Sequence, residues 1–170
     1  LPLIKITANG TVKALPDQAE FHITFSSSQL EAEIASSEID NALQRFLKKL
    51  GKYQIESNSL DSSQAQIYPE YVHYNNQRKL SAFRATRTVM FKLNQLKQMS
   101  ELVTLISKSE TASLDNIQFA VADTQLLQEE ALTKAMQSAL RIAKQIAEGY
   151  EVKLGKVHSV IHHAGNDHPR

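Results

Sequence analysis

From Gln18 to Ser28 apolar and polar residues alternate, with Ala19, Phe21, Ile23 and Phe25 set against Glu20, His22, Thr24 and Ser26. A period of two belongs to a strand with one buried and one wet face. A similar stretch, Leu3–Val12, precedes it, with Asn9-Gly10 marking a bulge or bend. The turn residues Pro16-Asp17 then fold the two into an expected antiparallel hairpin. Asp61–Tyr74 puts Ala65, Ile67, Pro69 and Tyr71 on one face. Leu80–Leu93 does the same with Phe83, Ala85, Val89, Phe91 and Leu93, and Asn75-Asn76 is the turn between them. Pro69 has no N–H to give a ladder, so its strand belongs at an edge or a bulge. Arg87 interrupts the apolar face of its strand, as an arginine does when its stem packs and its head reaches solvent or an acid. Leu114–Ala122, with Ile117, Phe119 and Val121 facing inward, and Leu154–Ile161 complete the expected strands.

The period changes to that of a helix over Glu31–Leu50, where Ile34, Ile39, Ala42, Leu43, Phe46, Leu47 and Leu50 form a stripe ended by Gly51. Gln95–Ser109 follows with Asn94 as its expected cap. The longest helical stretch is Asp123–Tyr150. Ala131, Leu132, Ala135, Met136, Ala139, Leu140, Ile142, Ala143, Ile146 and Ala147 fall within one half of its circumference. That apolar half is wider than one neighbour requires, and its alanines let a second backbone come close. The pattern therefore predicts this helix as the central packing element, capped by Asp123 or Thr124 and ended at Gly149 by a residue free to take positive φ. The resulting order is ββ-α-ββ-α-β-α-β. It is an α+β fold in which helices cover a mixed, mainly antiparallel β-sheet. No linker interrupts the chain, so residues 1–164 read as one domain and 165–170 as a flexible polar tail.

Composition narrows the function more than the fold. The 170 residues are 42% hydrophobic, enough for a core, and 19 Lys and Arg face 18 Asp and Glu. A net charge of +1, with no basic run beyond Lys48-Lys49, leaves no footprint for nucleic acid. No apolar run is long enough to cross a bilayer as a helix. The absence of cysteine excludes thiol catalysis, thiol redox cycling and disulfides. The chain opens on Leu1-Pro2 without a methionine, which fits a removed secretory signal.

Candidate chemistry is sparse. His158, His162, His163 and His168 lie close in sequence. On an extended strand, however, His158 and His162 stand about 13 Å apart, at roughly 3.3 Å per residue, while His162 and His163 point to opposite faces. A metal site from His162, His163 and His168 therefore requires the tail to curl back; otherwise these residues form a polar strand end. His22 falls on the wet face of its strand. Tyr68, Tyr71 and Tyr74, with His73, surround Pro69 as an aromatic, hydrogen-bonding patch suited to an interface, although tyrosine is also common on half-buried strands. No nucleophile elbow, phosphate-cradling loop, zincin helix or acidic calcium loop is present. Glu129-Glu130 sit at a helix start, a structural position, and Met99 and Met136 read as core filler.

Three stretches in order resemble the SIMPL-domain family of YggE-like and Brucella periplasmic antigen-like bacterial proteins. The first, residues 6–27, carries Pro16, Asp17 and Ala19 of a Pro-Asp-x-Ala motif before an alternating strand. The second, residues 67–96, carries Pro69 and Tyr71, a hairpin, then Phe83, Arg84 and Ala85, with Asn94 in place of the family's acidic cap. The third, residues 131–160, carries the alanine-rich helix and Lys153, Leu154, Gly155, Lys156 and Val157. Ala8 and Glu151 stand where the family favours glycine. The resemblance implies an exported, periplasmic protein without an assigned catalytic centre, a link to oxidative-stress defence and, in some members, oligomeric assembly. The expectation is thus a non-enzymatic homo-oligomer with no cofactor and an interface at Tyr68, Tyr71 and Tyr74. The alternative is a metal- or ligand-dependent enzyme using the C-terminal histidines.

Overall fold

The alternating stretch at residues 18–28 becomes β1 (Gln18–Gln29), an inner strand of the sheet. In the computed structural model, which describes residues 3–56 and 58–163, β1 lies between two antiparallel neighbours. On one side is β4 (Gln77–Leu93), paired so that Phe21 faces Phe91 and Ile23 faces Val89. On the other is β5 (Ala112–Ala120), with a bulge where Asp115 is passed over between His22 and Ile23. β2 (Asp61–Ser62) and β3 (Gln66–Tyr74) follow one another along the outer side of β4. The helices are α1 (Ala32–Leu50), α2 (Met99–Ser107, entered through a 3-10 turn) and α3 (Thr124–Gly149). The class is the expected one: α+β, with an antiparallel sheet of five strands and three helices among the described residues.

The chain forms two compact units, one from Leu1–Leu15 with Asp123–Arg170 and one from Pro16–Ala122. The second unit holds the main core. Ala19, Phe21, Ile23 and Phe25 of β1 and Ala85, Val89, Phe91 and Leu93 of β4 meet Ala35, Ile39, Ala42, Leu43, Phe46 and Leu50 of α1, with Leu102 and Ile106 of α2. The centre is aromatic. Phe21 stacks on Phe91 at 5.3 Å, and Phe46 meets Phe25 edge-on at 5.5 Å and Phe91 at 6.1 Å. Arg87 shares this face and is resolved as expected: its head lies 2.8 Å from the Asp40 carboxylate of α1, at the margin of the core. Asn94 does not cap a helix. Its Oδ1 accepts from the buried Gln18 amide, a partner 76 residues away, and the helix begins without a side-chain cap. The Pro-Asp-x-Ala motif also acquires a structural meaning. Asp17 N–H donates to Ala120 O and its carboxylate accepts from Ala122 N–H, which ties the start of β1 to the end of β5. Ala19 is fully buried beyond it.

Three expectations need correction. The segments 3–12 and 154–161 are not strands, because neither finds a ladder partner, and β1 pairs with β4 and β5 instead of hairpinning with its predecessor. Alternation reports a two-faced segment; whether it becomes a strand depends on a free edge elsewhere. The Asp61–Tyr74 stretch is two strands rather than one. The helix covering the main core is α1, not α3. Of α3 only Ala147 is buried, and Met136 and Leu140 are more than half exposed, so Met136 is not core filler.

In the first unit α3 nevertheless uses its alanines as expected. A Cβ on Gly10 would overlap the Ala131 carbonyl oxygen and come within 2.6 Å of the Ala135 nitrogen. The backbone at Gly10 thus lies directly on the helix, which only glycine permits. Ile6, Ala8, Gly10 and Val12 are the more buried positions of their segment, alternating with exposed ones. The start of α3 is capped as expected, the Asp123 carboxylate accepting from Leu126 N–H at 3.0 Å.

The C-terminal end of α3 differs from expectation. Gly149 is the last helical residue and has no positive φ, whereas Glu151 takes φ 54°. Val152 N–H donates to Ala147 O at 2.9 Å and Glu151 N–H to Glu148 O at 3.1 Å, the two bonds of a Schellman ending. The glycine therefore occupies a helical position and the glutamate a left-handed one. Nothing lies within 4 Å of a Cβ placed on Gly149. Gly149→Ala should raise stability by about 0.5–1 kcal/mol by relieving the entropy cost of a helical glycine. Glu151→Gly should add about 1 kcal/mol by removing left-handed strain. Thermal melts followed at the helical circular dichroism band measure both; a lower midpoint for either variant would refute this account of the helix end.

Candidate functional site

The extended side of β4 carries the most exposed apolar surface of the sheet. β3 and β4 are joined by Asn75 and Asn76, both left-handed (φ 49° and 61°), as a two-residue I′ turn demands and asparagine tolerates. The register sets Pro69 opposite Phe83 and Tyr68 opposite Arg84. A bulge between Glu70 and Tyr71 then shifts it, so that Tyr71 faces Leu80 and Val72 faces Lys79. Pro69 therefore meets both of its expected conditions, an edge strand and a neighbouring bulge.

Alternation along β3 divides the expected patch. Ile67, Pro69, Tyr71 and His73 share one face of the ribbon, and Tyr68, Glu70, Val72 and Tyr74 share the other. Tyr71 is thus separated from Tyr68 and Tyr74. Each face carries its own cation–π contact, with the Arg78 guanidinium 3.8 Å from the Tyr71 ring centre and the Lys79 ammonium 5.4 Å from that of Tyr74. The Tyr68 hydroxyl is hydrogen-bonded to the Thr86 hydroxyl at 2.9 Å, and Arg84 Nε lies 2.7 Å from the Glu70 carboxylate. Tyr74 remains 62% exposed and Val72 and Leu80 about half exposed, so the distal ribbon is bare on both faces. Arg78, Lys79 and Leu80 were missed from sequence. The I′ signal at Asn75-Asn76 by itself fixes the pairing that brings them beside the tyrosines.

The histidines are not gathered. His158, His162 and His163 lie exposed on a segment without regular structure, and His168 lies outside the described residues. Among the described residues no three histidine, aspartate or glutamate side chains converge as a metal requires. His22 is half-buried, with Nε2 2.7 Å from the Glu20 carboxylate two residues back on the same face of β1. On the α1 side, Glu38 accepts from Ser27 and Gln29, and these hydrogen bonds, Ser27 first, hold its carboxyl below the usual range. Phe119 is on the core face by its register with Ala19 yet 48% exposed, because β5 is the outer strand on that side. No helix among the described residues is long and apolar enough to cross a membrane.

Comparison with known proteins finds relatives over nearly the whole chain. An Edwardsiella ictaluri (strain 93-146) protein, "Uncharacterized protein YggE", is 26% identical over 169 residues, covering 99% of this chain and 71% of that protein. The Escherichia coli (strain K12) protein of the same description is 27% identical over 168 residues, covering 99% and 68%. A chain of the B. subtilis GlnK-ATP complex shares 12% identity over 60% of this chain and 84% of its own length, with a TM-score of 0.33, too low to carry an argument. Residues 4–170 match the family model SIMPL, described as "Protein of unknown function (DUF541)", and over that length the chain belongs to the SIMPL family.

Proposed function

We propose that this chain is a non-enzymatic protein that self-associates through the β3–β4 ribbon. The observation that carries the reading is the edge strand β3, whose exposed apolar and aromatic residues lie on both faces. An unpaired edge is a template for another strand, and proteins usually guard it with charge. β3 carries one carboxylate, Glu70, which is already engaged by Arg84. Its other guards are Pro69 and the bulge, and both lie on the Glu70 side of Tyr71. The opposite edge, β5, has a bulge at Asp115 and several exposed polar residues, so β3 is the better template. Two ribbons paired edge to edge would extend tyrosine rows on both faces, which suits a residue with a large apolar ring and a polar end.

Light scattering after size exclusion, over a range of concentrations, should give more than one protomer. Tyr71→Lys with Tyr74→Lys, one change per face, should lower the mass while circular dichroism stays folded. A monomer at every concentration sinks the reading; an oligomer indifferent to the double change moves the interface away from this ribbon.

Periplasmic location and a part in oxidative-stress defence belong to the same proposal and rest on the family resemblance. With no cysteine in the chain, such defence proceeds without thiol chemistry. Fractionation of cells producing the whole protein should place it with periplasmic markers; retention with cytosolic enzymes argues against export. The competing reading, an enzyme built on the C-terminal histidines, has a separate test. Untagged protein is expected to carry no stoichiometric zinc, and zinc that is retained and then lost on His162→Ala with His163→Ala would reverse the preference.

A further inference from the structure

We infer that a cleft between α1 and the α2–β5 junction binds a small amphiphilic anion, a carboxylate or similar head on an apolar body. The inference is independent of self-association. The cleft lies wholly within the Pro16–Ala122 unit and measures about 310 Å³, at the small end of ligand-sized sites, which run roughly 300–1,000 Å³. Its floor is apolar: Ala42 and Phe46, both buried, with half-buried Leu105. Its rim is cationic, with Arg45 and Lys49 from α1 and Lys108 from the end of α2. Among the described residues none of these three forms an ion pair, although Glu110 lines the same cleft.

Two of the cations have a local explanation. Lys49 is in the last turn of α1 and Lys108 follows α2, where positive charge offsets the helix dipole. Arg45 has none, since it lies a full turn before the end of its helix and has no acid partner. Three like charges around one gap outnumber the single carboxylate of Glu110, and a cleft with low-dielectric walls sharpens the field that remains. An anion offsets that excess, and a guanidinium offers a carboxylate paired donors. Inorganic phosphate would satisfy the rim but leave the half-buried Leu105 facing water. An uncharged apolar molecule would cover the floor and leave the cations unpaired. The ligand class that answers both features carries its charge at one end and an apolar group at the other. The small volume favours a compact molecule over a peptide or a membrane surface.

The test follows backbone amide shifts by NMR in the whole chain, with octanoate as probe and octanol and inorganic phosphate as comparison arms. Octanoate should move amides within residues 42–49 and 105–111 along a single saturating curve. Octanol should need a concentration at least about tenfold higher for the same change, the weight of one charge-assisted contact, and phosphate one about as much higher for want of an apolar body. Arg45→Gln with Lys49→Gln should weaken octanoate by about tenfold or more, while Lys97→Gln, a charge loss elsewhere, should leave it unchanged. Circular dichroism monitors folding, and Leu105→Ser, which spares the charges, should weaken octanoate without altering phosphate. Equal potency of phosphate would reduce the site to an ion contact, and equal potency of octanol to an apolar one; either result overturns the inference. So would shifts confined to other residues, or full octanoate binding in the double variant.

Discussion

Phe46 holds the sheet-bearing unit together. It reaches from α1 to Phe25 on β1 and Phe91 on β4, and Phe91 in turn stacks on Phe21. One helix is thereby fastened across two strands, and the strands are fastened to each other. The arrangement fixes register as well as contact. Phe21 and Phe91 are cross-strand partners, and a slip of one residue in either strand would turn its alternating row away from α1. Burial of several phenylalanines at one point is the largest apolar contribution the unit makes, and it tolerates the polar margin nearby. Arg87 and Asp40 remain partly wet at that margin, where their charge–charge contact avoids the cost of a fully buried pair.

A different constraint governs the other unit. There the binding surface is made by removing side chains. Gly10 lies on the backbone of α3 at Ala131 and Ala135, too close for any Cβ. Small residues on both partners permit an approach that larger ones would forbid, so contact comes from backbone proximity rather than from interlocking side chains. This explains how a helix rich in alanine packs with only Ala147 buried. A half-buried helix face covered by an extended segment is a shallower arrangement than the aromatic core of the sheet.

The ribbon shows how a turn and a small irregularity divide a surface. The two-residue turn sets Leu80 opposite Tyr71 and brings Arg78 beside it; the bulge then passes over Ser81, so that Glu70 faces Ala82. The base of the ribbon is secured by Glu70–Arg84 and Tyr68–Thr86, and the distal end is left bare. The motif residues shared with the family do structural work at this base. Pro69 and Phe83 face one another, Arg84 engages Glu70, and Ala85 is fully buried where the ribbon joins the core.

The sequence alone determined every element whose cause is local. Alternation marked β1 and the inner part of β4, a helical stripe marked α1 and α2, Asn75-Asn76 marked the turn, and Asp123 marked the cap of α3. Pro69 marked an edge because a missing N–H is a property of the residue itself. It did not determine which helix would cover the sheet. The apolar half of α3 is wider than the stripe of α1, but the stripe carrying Phe46 is the one that finds the aromatic strands. Nor did it determine whether residues 3–12 and 154–161 would be strands, since a ladder needs a partner and alternation describes one chain segment only. Asn94 reads as a cap until Gln18 arrives from 76 residues away. The three tyrosines read as one patch until alternation along a paired strand places them on two faces. The cationic cleft had no sequence signature at all, because Arg45, Lys49 and Lys108 line one cleft only once α1 and α2 have packed on the same core.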